Sequence, residues 1–282
     1  MAKVGAHAFL WIDEWTTEKG NKAIHQAADT GFDLIEIALL RPQDFNAASH
    51  RKELKAAGIS ASASISLPKD AHMPEQPERA RRYLLEALNK LEAVGGTYLC
   101  GPLAFQTGKL TGKPPTASER QVIIDTLGLV AEEAGKRGIY LGLEVVNRYE
   151  TYLYNTLADA RAIVKAVGVD NLRLHANTFH MHIEEESFCT ALAEVADVLG
   201  YVHISESHRG QPGCGTIDWE QVFQGLTAAR YSGPLVLEMF ATPHTDLATA
   251  TCTWRTLQEA TPLQSGQEGL RFIRAACARF GL

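Results

Sequence analysis

Ile139-Tyr140-Leu141-Gly142-Leu143-Glu144-Val145-Val146 is a short apolar run with one carboxylate near its end. A run of this length, entered through Gly138, reads as a buried strand. Ahead of it Ile123, Leu127, Val130, Ala131 and Ala134 share one face at helical spacing. The local unit is thus helix, glycine, strand, and the chain repeats it. Strands are predicted at 4–11, 33–39, 59–66, 96–103, 139–146, 172–179, 201–207 and 234–240. Leu84, Ala87, Leu88, Leu91 and Val94 form another apolar helix face before residues 96–103. Ser118 with Gln121, and Asp218 with Gln221, have the spacing of capping boxes. Gly31, Gly58, Gly95, Gly138 and Gly233 stand between helical stretches and the strands that follow. Eight such units with no break in composition predict the α/β class and a single (β/α)8 TIM barrel domain spanning residues 1–282. The length suits this, since such barrels run to about 250 residues. A dinucleotide-type open sheet lacks its fingerprint here: Gly213-Cys214-Gly215 lies in a loop without the rest of that pattern.

Composition narrows the function classes. The net charge is −6 and no basic block occurs, which argues against a nucleic-acid partner. The five cysteines include no CxxC pair, so reduced thiols are expected rather than a disulfide framework or a zinc cluster. No apolar run reaches the roughly 20 residues of a membrane span. No charged segment followed by an apolar one opens the chain, and a cytoplasmic location is expected.

The polar residues fall late in the predicted strands. Glu144 and Glu238 each sit among apolar neighbours near a strand's end. His203 follows Tyr201-Val202, while Asn177 comes just after His175-Ala176. Barrel strands converge at these ends, on the face where barrel enzymes carry their sites. Two carboxylates, an imidazole and an amide oxygen make a mixed oxygen–nitrogen ligand set, suited to Mn²⁺, Mg²⁺ or Co²⁺. Glu150, His180, Glu206, His208 and Arg209 lie just beyond. Glu206 and His208 are expected to be solvated loop residues and Glu36 to be structural. His25, His50, His72 and His182 are expected on the surface or on helices. The long loops 104–117 and 241–264 follow the fourth and eighth strands and are expected to be lids or subunit contacts, or else plain insertions.

At these residues the sequence resembles the ketose 3-epimerases of D-tagatose, D-allulose (psicose) and L-ribulose, within the xylose isomerase-like barrels. The resemblance is carried by Leu143-Glu144-Val145-Val146-Asn147-Arg148-Tyr149-Glu150-Thr151, by Thr178-Phe179-His180-Met181 and by Val202-His203-Ile204 with Glu206-Ser207-His208-Arg209-Gly210. Gly233-Pro234-Leu235-Val236-Leu237-Glu238 and Trp254-Arg255 extend it. It implies an isomerase that inverts C3 of a free ketose through a metal-stabilised enediolate, with Mn²⁺ expected first and Mg²⁺ or Co²⁺ next. It further implies Glu144, Asn177, His203 and Glu238 as metal ligands and Glu144 and Glu238 as the acid–base pair. Glu150, His180 and Arg209 would bind the sugar, and the protein would form a homodimer or homotetramer.

Asn177 departs from the family, which has aspartate there. The amide oxygen is still able to coordinate, but the set loses one negative charge, and weaker metal binding is expected. A related sugar isomerase, an inosose dehydratase-type barrel and a non-catalytic sugar-binding barrel are the alternatives.

Overall fold

The computed structural model describes residues 2–240, 252–257 and 260–282. Eight strands close into a barrel in sequence order: β1 (Val4–His7), β2 (Leu34–Ala38), β3 (Ser60–Ser64), β4 (Tyr98–Gly101), β5 (Tyr140–Glu144), β6 (Leu172–Asn177), β7 (Leu199–Ile204) and β8 (Leu235–Leu237). All neighbours run parallel, including β8 against β1. Every predicted strand is found, but each is shorter than expected. The polar residues at their ends turn the chain instead of extending the ladder. After β1 the chain makes a 3-10 turn at Ala8–Leu10, and after β6 it enters a helix at Thr178.

The helices are α1 (Thr17–Thr30), α2 (Ala47–Ala57), α3 (Pro77–Val94), α4 (Ala117–Lys136), α5 (Leu157–Val167), α6 (Thr178–Glu184), α7 (Phe188–Glu194), α8 (Trp219–Ala228) and α9 (Pro262–Phe280). The apolar faces read from spacing are the buried ones: Leu84, Ala87, Leu88, Leu91 and Val94 on α3, and Ile123, Leu127, Val130, Ala131 and Ala134 on α4. Asp218 caps α8 as expected. The box of α4 is Thr116 with Glu119, not Ser118 with Gln121. Both pairs have the right spacing, and the helix takes the one nearer Pro115, two residues earlier.

One irregularity sets the site. Between β6 and β7, Leu174 pairs with Leu199 but His175 pairs with Tyr201, so Gly200 is an extra residue. Such a bulge moves every later side chain of the strand to the other face. It brings His203 beside Asn177. Glycine is required there, because a Cβ at Gly200 would lie 2.2 Å from Tyr98 Oη and 2.4 Å from Arg173 Cβ.

Loop 104–117 lies against the chain beyond β5 through a Lys109–Thr151 bridge, with Phe105 buried and Leu110 exposed. Most of the second long loop, 241–264, falls outside the described residues. No helix among the described residues is long and apolar enough to cross a membrane.

Candidate active site

The centre is built from the ends of β5 to β8. Glu144 ends β5, Asn177 ends β6, and His203 faces Asn177 across the β6–β7 register. Glu238 lies one residue past β8, its N–H still bonded to Ile204 O at 3.0 Å. All four side chains are buried.

Asn177 holds the cluster together. It is the N-cap of α6, and its Oδ1 accepts from Phe179 N–H at 3.1 Å. Its Nδ2 donates to Glu144 Oε1 and to Glu238 Oε2, each at 2.9 Å. The partners dictate this orientation. Reversal would set the amide hydrogens against the Phe179 N–H and the carbonyl oxygen against two carboxylates. The sequence-based expectation of a carbonyl oxygen turned toward the ligand cluster is therefore not met: the oxygen caps a helix.

His203 is fixed from behind. Its Nε2 lies 2.9 Å from Glu36 Oε2, which leaves Nδ1 facing Glu238 Oε1 at 3.5 Å and Glu144 Oε1 at 3.7 Å. Glu36 is fully buried and also accepts from Tyr201 Oη at 2.6 Å, while Ser62 Oγ lies 2.7 Å from that same hydroxyl. Burial works against charge on both partners, but the carboxylates of Glu36, Glu238 and Glu144 prevail and push His203 up to about 9. Glu36 is held well below the usual carboxylate range, because its contact and hydrogen bond with His203 outweigh burial. The metal-free imidazole is thus protonated at neutral pH. The 3.3 Å approach of Asn177 Nδ2 to its Nδ1 is then a contact and not a hydrogen bond.

The two carboxylates differ. Burial drives Glu144 up to about 7, with the His203 charge opposing and Glu238 adding. Burial acts on Glu238 too, but Arg209 first and His203 next overcome it, and its carboxyl stays well below the usual range. The Arg209 guanidinium pairs with Glu238 through Nη1. It lies 3.8 Å over the Phe179 ring, with Nη2 3.4 Å from His180 Nε2. His180 Nδ1 accepts from the Asn147 N–H at 3.2 Å, so the ring's proton is on Nε2. Burial depresses the pKa of His180, and the ring is neutral. Glu150 accepts from Asn147 Nδ2 at 3.0 Å and lies 3.9 Å from His180 Nδ1. The structure therefore gathers Glu144, Asn177, His203, Glu238, Arg209, His180 and Glu150 in one neighbourhood. A cavity of about 340 Å³ stands over Arg209, lined by Phe179, Ser207, His208, residues 252–255 and Leu257.

Three of the four expected ligands have the donor chemistry for a divalent cation, with the Asn177 amide now bridging the two carboxylates. Glu144, Glu238 and His203 Nδ1 present two carboxylates and a ring nitrogen held in place by Glu36, a donor set suited to a borderline divalent ion. Asn177 presents hydrogens to the same space. Below lies a second buried cluster, in which ligand atoms of Cys100, His175 and His203 are within 4.8 Å of one another. Both ring nitrogens of His175 lack a hydrogen-bond partner, and burial depresses its pKa so far that the ring stays neutral.

Some neighbours were misread from sequence. Glu206 is not solvated: it is buried and accepts from Ser207 N, Gly213 N, Ile217 N and Trp219 Nε1 at 2.8–3.2 Å. His72 is buried in a loop rather than on the surface or a helix, while His50 lies on α2 as expected but is buried there. Phe179 and Asn147, which seat Arg209 and His180, were quoted in the motifs but given no role. The signal for Asn147 was its place between Glu144 at the end of β5 and Glu150 in the loop that follows.

Fold and site together define a parallel (β/α)8 barrel with a carboxylate–imidazole centre at its strand ends. The model of the xylose isomerase-like TIM barrel family matches residues 24–276. The chain is 36% identical over 276 residues, 96% of each chain, to the L-ribulose 3-epimerase of Methylomonas sp. (strain DH-1). It is 33% identical over 261 residues, 90% of each chain, to the ketose 3-epimerase of Arthrobacter globiformis. Among solved structures, the D-allulose 3-epimerase of Methylomonas sp. in complex with D-allulose superposes with a TM-score of 0.92 at 34% identity, covering 98% of this chain and 97% of that one. The chain belongs to the xylose isomerase-like TIM barrel family, among its ketose 3-epimerases.

Proposed function

We propose that the protein is an isomerase that inverts C3 of a free ketose, with Glu144 and Glu238 as its acid–base pair. The observation that carries this reading is the convergence of two buried carboxylates on one space, bridged by the Asn177 amide, with Arg209 paired to Glu238. Inverting C3 needs a base on one face and an acid on the other. Glu238 is held ionised by Arg209 and suits the removal of the C3 proton. Glu144, raised to about 7, is able to hold a proton near neutral pH and to return it. When the C3–H bond breaks, its electron pair forms the C2–C3 double bond and O2 takes the negative charge. Delivery of a proton to the opposite face of C3 re-forms the carbonyl with inverted configuration. The reverse reaction exchanges the two roles. The neutral His180, with its proton on Nε2, and the Arg209 guanidinium are donors for the sugar's oxygens, and Glu150 is an acceptor for a hydroxyl. A divalent cation held by Glu144, Glu238 and His203 would polarise the C2 carbonyl as a Lewis acid.

The test is incubation with D-fructose, D-tagatose, L-ribulose and D-xylulose in deuterated water, with added Mn²⁺. The expected product is the C3 epimer of at least one of them, carrying deuterium at C3. Aldose formation or loss of water would replace this reading with an isomerase or a dehydratase. Sugar binding without exchange would replace it with a binding protein.

A further inference from the structure

An aspartate at the end of β6 would have two oxygens, one to cap α6 and one to face the site. Asn177 has one. Its oxygen is committed to the Phe179 N–H at 3.1 Å, and its two amide hydrogens bridge Glu144 and Glu238 at 2.9 Å each. Capping and coordination therefore compete for a single atom. We infer that Asn177 is a latch on the cation site: it closes the metal-free centre, and a cation enters only as the amide turns over and releases the cap of α6. The inference rests on Glu144, Glu238 and His203 as the cation's holders.

Three consequences follow from the geometry. The metal-free protein is stabilised, because two buried carboxylates share a donor where an aspartate would add a third negative charge. Cation affinity is lowered, because turnover breaks three hydrogen bonds and places N–H against N–H at Phe179. Cation binding is coupled to the first turn of α6, the helix that carries Phe179 and His180. The latch thus links cation occupancy to the shelf on which Arg209 lies.

The test compares the wild type with Asn177→Asp and Asn177→Ala. Mn²⁺ binding is read by titration calorimetry, thermal unfolding is followed with and without Mn²⁺, and backbone hydrogen exchange at Phe179 is followed with Mg²⁺. Metal-free Asn177→Asp is expected to melt below the wild type, to bind Mn²⁺ about tenfold or more tightly and to gain more thermal stability from it. Exchange at Phe179 is expected to rise on saturation with Mg²⁺ in the wild type and to stay slow in Asn177→Asp, which keeps an oxygen for the cap. In Asn177→Ala, exchange is fast throughout. Unchanged or slower exchange at Phe179 in cation-saturated wild type overturns the latch. So does equal Mn²⁺ affinity in the wild type and Asn177→Asp. The isotope assay on the wild type is independent of both results, so the latch and the epimerase reading fail separately. Absence of cation binding in every variant overturns the assignment of the cation's holders, and the latch with it.

Discussion

Glu36 governs the centre without facing it. It sits one layer down, buried on β2, and takes hydrogen bonds from Tyr201 and His203. Its charge keeps a proton on His203 Nε2, which leaves Nδ1 for the site. A carboxylate behind a ligating histidine typically accounts for about 10–100-fold in metal affinity. Glu36→Gln is accordingly expected to weaken Mn²⁺ binding about tenfold with an unchanged circular dichroism spectrum. Unaltered affinity would reduce Glu36 to a packing role. The sequence showed Glu36 as an odd carboxylate inside an apolar strand and supported a structural reading. Its partner lies 167 residues away on β7. Only ring closure reveals that the two meet.

At the scale of elements, the loop from β7 to α8 carries Arg209 and is organised around Glu206. Four donors converge on that one carboxylate, and its pKa is lowered because those bonds outweigh burial. Glu206→Gln would turn an N–H₂ toward backbone N–H groups or the Trp219 indole, at a cost of about 1–3 kcal/mol per unpaired group. The expected outcome is a fall in kcat/KM of about tenfold for the ketose, as Arg209 loses its seat. Proteolytic cutting between residues 207 and 217 should also become faster. Wild-type kinetics together with wild-type protease resistance would show that the loop is held by other contacts. The error made here from sequence has a physical origin. A carboxylate in a Gly-rich stretch is usually solvated, and nothing in one dimension shows that the loop folds back over it. Helix faces and strand positions were legible, because periodicity is local. The ends of β6 and α4 were less so. Asn177 and Thr116 are both cap residues, and a cap can be read as strand or loop until the helix is seen to start.

For the whole molecule, His50 on α2 joins the first two βα units. Its Nε2 accepts from Trp15 Nε1 at 3.1 Å, and its Nδ1 donates to Asn21 Oδ1 at 2.8 Å. Burial lowers its pKa from 6.5 to about 4. Between those values the unfolded chain binds the proton that the folded chain refuses, so stability rises with pH there. The contribution is complete above about pH 6.5 and is lost as the pH falls toward 4, amounting to about 3 kcal/mol at most. In urea unfolding, the stability difference between the wild type and His50→Gln should narrow as the pH drops from neutrality to about 4.5. A pH-independent difference would mean that the histidine titrates freely in the folded state.

The extra residue at Gly200 gives the molecule a parity rule. Side chains alternate along a strand, so the set aimed at the reaction depends on an odd or even count from the preceding turn. Restoring even pairing in β7 would aim Val202 and Ile204 inward and send Tyr201 and His203 out among the helices. Loops on the same face are free to lengthen or shorten by any number of residues, since they carry no such phase. Divergence in this architecture is thereby channelled. On the proposed function, the sugar contacts of Glu150 and Arg209 come from loops, while His203 is tied to a strand where one added or missing residue would turn it away.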